Sequence, residues 1–128
     1  SFEPGSATTK PGFLDILKKI VPTIEESYFM IAVEGHTDSD PLPKSLRERY
    51  PSNWELSGAR ASAVVRLLIG LEVDPTRLQS VGYGEFVPRD KNTAEIITTD
   101  LIQKYNSNPQ QKSRNRRVEI TFLAPNKL

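Results

Sequence analysis

Apolar positions recur along the chain with two periods. Phe13, Ile16, Leu17, Ile20 and Ile24 follow helical spacing behind Pro11. A Pro at a helix start is tolerated because its missing N–H has no intrahelical partner there. Pro22 is expected to end or bend this helix, since it removes one donor from the i to i−4 ladder. Residues 28–34 open with an unbroken apolar run, Tyr28 through Val33, the pattern of a buried strand that closes at Gly35. Ser52 with Glu55 three residues on is a capping box. Behind it Ala61, Val64, Val65, Leu68 and Leu71 mark one face of a long helix, with Gly70 as its expected stop. Asp74-Pro75 predicts a short helical turn, and 78–83 a strand closed by Gly82 and Gly84. Val118, Ile120 and Phe122 alternate with Glu119, Thr121 and Leu123, the pattern of a last strand.

Alternating helix and strand patterns over 128 residues predict one two-layer α+β domain, with helices on one face of a sheet. Residues 1–10 read either as an incomplete first strand or as a linker. Residues 92–112 read either as an extended loop or as an extra helix, with Ile97, Leu101 and Tyr105 on its apolar face.

Composition removes several chemistries. The chain has no Cys, which excludes disulfides, thiol nucleophiles and Cys-based metal sites, and a single His, which excludes His-rich metal centres. A net charge of +1 is unlike the strongly basic balance of nucleic-acid binders. No apolar run approaches the roughly 20 residues of a membrane span. The near-neutral total hides an asymmetry: residues 1–40 sum to −4 and residues 41–128 to +5. An acidic 34–40 loop folded against later arginines would suit a small zwitterion.

No catalytic pattern emerges. Gly82-Tyr83-Gly84 lacks the phosphate-loop signature, and Ser57 is not in a G-x-S-x-G elbow. His36, Asp38 and Asp40 lack a recognised metal-ligand spacing, so His36 reads as a structural hydrogen-bonding residue. Binding fits better. Asp38 follows the end of a strand, where sheets of this kind place ligands. Arg60 lies two turns into the capped helix. Together they would clamp an amino acid, the acid on its ammonium and the guanidinium on its carboxylate. The simpler alternative is an Asp38–Arg60 salt bridge or two solvated charges.

Four motifs carry a resemblance: Val33-Glu34-Gly35-His36-Thr37-Asp38, Asn53-Trp54-Glu55-Leu56-Ser57-Gly58-Ala59-Arg60, Gly82-Tyr83-Gly84-Glu85 with Pro88, and Asn115-Arg116-Arg117-Val118-Glu119-Ile120. In this order, across about residues 2–122, they resemble the OmpA-like peptidoglycan-binding domain, a βαβαβ-type fold on a mixed sheet. The Asn53-Trp54-Glu55-Leu56-Ser57 wording is most like the MotB-type flagellar stator branch, and type VI secretion anchors share it. The resemblance implies a non-enzymatic domain without cofactor or metal that binds the diaminopimelate of a stem peptide. In it Asp38 would take the ammonium and Arg60 the carboxylate. Asn53, Thr37 and Leu56 would line the pocket, with a further contact from Arg116 or Arg117. Strand alternation favours Arg116, on the side of Val118 and Ile120. The resemblance further implies the periplasmic part of an inner-membrane-anchored bacterial protein, a homodimer whose missing N-terminal part meets a membrane partner subunit. A dimerisation scaffold with a vestigial pocket is the alternative from another class.

Overall fold

The computed structural model describes residues 2–125. Helix α1 is Phe13–Glu26, strand β1 Phe29–Gly35, helix α2 Asn53–Gly70, strand β2 Leu78–Gly82, helix α3 Thr99–Lys104, helix α4 Pro109–Asn115 and strand β3 Val118–Pro125. Short 3-10 turns at Lys44–Leu46 and Pro75–Arg77 complete the order. The sheet runs β2-β1-β3: β1 pairs β2 in parallel, from Ile31 opposite Leu78 to Gly35 opposite Gly82. It pairs β3 antiparallel, from Gly35 opposite Val118 to Phe29 opposite Pro125, with a register shift between Phe29 and Met30. The architecture is α+β on a mixed sheet. Among the described residues the stretch before α1 contributes no strand.

The core lies between the sheet and the first two helices. Leu17, Val21 and Ile24 of α1 and Ala61, Val64 and Leu68 of α2 close over Ile31 and Val33, with Phe2 and Val73 sealing the edges. This face of α1 is rotated from the expected one. Val21 is buried while Ile16 is 55% exposed. Pro22 does not end α1, which continues to Glu26. The ring deletes one backbone donor, and burial of Val21 and Ile24 on either side holds the helix through that position. Tyr28 stands outside β1, exposed.

Helix α2 begins as its capping box predicts, Ser52 Oγ accepting from Trp54 N at 3.1 Å. Its C-terminus differs from expectation. Gly70 is the last helical residue, and the left-handed position falls on Glu72, φ 71°. Val73 N donates to Leu68 O and Glu72 N to Ile69 O, a Schellman closure in which buried Val73 supplies the apolar contact. Residues 92–112 contain α3 and most of α4, opened by side-chain caps from Thr98 and Asn108. Leu101 and Ile102 are their buried apolar residues, and Ile97 is exposed.

Candidate functional site

The site forms where the first turns of α2 lie against the ends of β1 and β2. A Cβ on Gly35 would stand 2.0 Å from Ser57 O, and one on Gly82 would stand 2.7 Å from Gly58 N. Two strand-end glycines therefore let the helix backbone settle directly on the sheet. Ser57 locks the junction, its hydroxyl donating to Trp54 O and accepting from Gly84 N at 2.9 Å. This seats Leu56 and Arg60 beside the loop that leaves β1.

That loop carries Asp38, buried at 6% exposure. One carboxylate oxygen accepts from Asp40 N at 2.9 Å, and the other accepts from Arg116 Nη1 at 2.8 Å. Thr37 is tied at both ends, N to Gly84 O at 2.9 Å and Oγ1 to Asp38 O at 2.8 Å. Asn53 spans the rim, its amide donating to Asp38 O, Asp40 O and Glu85 Oε2. The α3–α4 connection and α4 brace the same loop: Asn106 Oδ1 accepts from Ser39 N, and Lys112 pairs with Asp40 at 3.0 Å.

Arg60 is fully buried. It donates from Nε to Ser6 O at 2.8 Å, from Nη1 to His36 O at 3.0 Å and from Nη2 to Glu3 O at 3.0 Å. Its guanidinium carbon lies 5.0 Å over the ring of Phe2. Two of these carbonyls, Glu3 O and Ser6 O, come from a turn, 3–6, closed by Ser6 N to Glu3 O, with Pro4 and Gly5 at its corners. Gly5 has φ 66°, as the third residue of a type II turn requires. Arg116 Nε grips the same segment through Phe2 O at 3.1 Å. Burial lowers the Arg60 pKa to about 10; Asp38 opposes that shift and Arg116 adds to it. The group therefore stays charged at neutral pH.

Asp38, Arg60, Asn53, Thr37, Leu56 and Arg116 all line one cavity of about 160 Å³. Sequence reasoning named these six and missed the rest of the wall: Pro4 and Gly5 of the turn, Asp40, and Leu42 with its flanking prolines. The Pro4-Gly5 dipeptide is a turn signal in the sequence, but nothing local says that the flanking carbonyls of Glu3 and Ser6 meet an arginine more than fifty residues away. The ion-pair partner of Asp38 is Arg116, and Arg60 spends three of a guanidinium's five donors on carbonyls.

Arg117 goes elsewhere. It donates to Glu119, to Val87 O at 3.0 Å and to Asn115 O. His36 is on that side too, its ring stacked on Tyr83 at 5.3 Å with Nε2 3.8 Å from Glu119. Its Nδ1 is buried without a partner. Burial, aided by Arg117 and opposed by Glu119, lowers its pKa to about 4.

Comparison with known proteins follows this geometry. The OmpA family model matches residues 1–98, which take in Asp38, Asn53 and Arg60 but not Arg116. The chain is 35% identical over 123 residues to the uncharacterized protein YtxE of Bacillus subtilis, covering 94% of this chain and 43% of that protein. It therefore spans less than half of that relative's length. The C-terminal domain of Helicobacter pylori MotB superposes with TM-score 0.77 at 26% identity, over 98% of this chain and 84% of that one. The cell wall anchor of the T6SS from Pseudomonas aeruginosa does so with TM-score 0.72 at 32% identity, over 96% and 74%. OmpA-like anchor domains are structural and non-enzymatic. By motif, fold and family match, the chain belongs to the OmpA family.

Proposed function

We propose that this domain binds peptidoglycan non-covalently, taking the zwitterionic end of a diaminopimelate-type stem peptide into the Asp38 cavity. One observation carries the reading: the buried Asp38 carboxylate and two guanidiniums converge on a single small cavity, where the second lining acid, Asp40, is paired with Lys112. Its volume of about 160 Å³ suits an amino-acid head group rather than a nucleotide. The ammonium would meet Asp38, and the carboxylate would meet Arg116 and the Arg60 donors not spent on carbonyls. Lysine offers the amine without the carboxylate, and leaving buried guanidinium donors unmatched costs about 1–3 kcal/mol. That difference is the basis of selection.

In this reading the domain is the cell-wall end of a periplasmic, inner-membrane-anchored protein, acting as a homodimer beside a membrane partner, as in a flagellar motor stator. A secretion-system anchor is the second reading, supported by the likeness to the T6SS cell wall anchor at 32% identity. The residues that precede this domain discriminate the two. A membrane segment bearing an Asp favours the stator, and a long cytoplasmic domain before the membrane favours the secretion anchor. Binding itself is tested by cosedimentation with purified sacculi. The wild-type domain pellets, and Asp38→Ala stays in the supernatant with a native circular dichroism spectrum. Equal pelleting of the two proteins refutes the assignment.

A further inference from the structure

Trp54, the single tryptophan of the chain, is 51% exposed, and its ring stacks on Phe86, itself 38% exposed, at 5.0 Å and 24°. Two large aromatics left at the surface in a fixed stack are a costly arrangement for solubility and mark an interaction face. The stack has a floor. Gly84 sits beneath it with φ 62°, and a Cβ there would come within 3.3 Å of Phe86 Cδ2 and 3.5 Å of Trp54 Cδ2.

That floor is tied to the cavity wall. Gly84 O accepts from Thr37 N, and Gly84 N donates to Ser57 Oγ. The stems of the two rings are coupled to it as well: Asn53 and Glu85, which immediately precede Trp54 and Phe86, hydrogen-bond each other at 3.3 Å on the cavity rim. A polar groove of about 330 Å³ borders this rim, lined in part by Arg47, Ser52, Asn53 and Glu85. It shares Pro41, Leu42 and Asn53 with the Asp38 cavity. Half-exposed rings whose chain neighbours Asn53 and Glu85 line a polar groove match a pyranose, whose C–H face stacks on an aromatic and whose edge carries hydroxyl and amide groups.

We infer that the Trp54–Phe86 stack is a second subsite, which takes a sugar ring of the glycan strand while the Asp38 cavity holds the stem peptide. The inference rests on the peptidoglycan reading and adds to it: one domain reads both the peptide and the glycan to which it is attached. Because both subsites hang on Gly84, their spacing is set by the fold and not by side-chain freedom.

The test compares two probes by calorimetry, a tripeptide ending in diaminopimelate and the same tripeptide carried on its N-acetylated disaccharide. Wild type is expected to bind the disaccharide form about fivefold to tenfold tighter. Trp54→Ala is expected to erase that ratio while keeping the tripeptide affinity, and Trp54→Phe to keep part of it. Trp54 is half-exposed, so the variants are expected to fold, with melting curves as the check. The disaccharide alone is expected to shift Trp54 fluorescence, an arm that stays informative if the peptide probe fails to bind. Peptide binding with equal affinity for the two probes, or a ratio untouched by Trp54→Ala, overturns the sugar subsite and leaves the peptide pocket standing. Failure of both probes overturns the pocket reading, and a silent fluorescence titration then overturns this one as well. Loss of self-association in Trp54→Ala with an unchanged ratio makes the stack a contact between copies and overturns the sugar assignment.

Discussion

Arg116 and Arg117 are adjacent in the chain and serve opposite sides of the sheet. Arg116 meets Asp38 at the mouth of a cavity. Arg117 is clamped by Glu119 and the carbonyls of Val87 and Asn115, beside the stacked His36–Tyr83 pair. Both have an acidic partner, Arg117 buried and Arg116 half-buried, so pairing alone does not separate a binding residue from a structural one. What separates them is where they sit. Arg116 lines the cavity together with Asp38 and Arg60, and Arg117 is held outside it by Glu119 and the Val87 and Asn115 carbonyls. The main chain of His36 joins the two regions, its N–H donating to Arg117 O and its carbonyl accepting from Arg60.

The comparison breaks most visibly at Arg60. Although it lines the pocket, it is bonded like a structural residue, holding Glu3, Ser6 and His36 carbonyls at once. Arg60→Ala is expected to cost about 3–5 kcal/mol in urea denaturation, since it orphans buried carbonyls and opens a void under Phe2. Lost sacculus binding in that variant would therefore not isolate the ligand contact.

On the opposite face the expected effect is a pH dependence. His36 in the folded chain has a pKa of about 4, against 6.5 for an exposed imidazole. Between these values the unfolded chain holds the proton and the folded one does not. This contribution to stability is full above pH 6.5, falls as pH drops towards 4, and is flat below. The loss amounts to about 3 kcal/mol. His36→Phe, which keeps a ring against Tyr83, is expected to flatten the slope of melting temperature over that window.

Arg117→Met sharpens the contrast. It is expected to cost about 2 kcal/mol in thermal melts by leaving Val87 O unmatched, and to leave peptide affinity unchanged. The smallest expected effect lies far from both faces. Glu72→Gly relieves a left-handed residue and should add about 0.5–1 kcal/mol in denaturant titration.

Those contrasts also mark what could be read from residues alone. The Ser52 cap, the helix behind it, the last strand and the assignment of Arg116 to the cavity side follow from local rules of spacing and alternation. The rotation of α1 does not, because Ile16 and Val21 are equally apolar and only the packing of β1 and α2 selects between them. Gly70 was the natural stop by propensity. The closure was won by Glu72, because it lets Val73 enter the core. In the site, the residue types were legible but their partners were not. Asp38 and Arg60 have the charges of a pair, yet tertiary structure gives Asp38 to Arg116 and gives Arg60 to the 3–6 turn.

The most direct test is a titration of the domain with two tripeptides that differ only in ending with diaminopimelate or with lysine. The account predicts saturable binding of the first, about a hundredfold weaker binding of the second, and loss of both in an Asp38→Asn variant that keeps a native circular dichroism spectrum. Equal affinity for the two peptides, or undiminished binding by a folded Asp38→Asn variant, would contradict it.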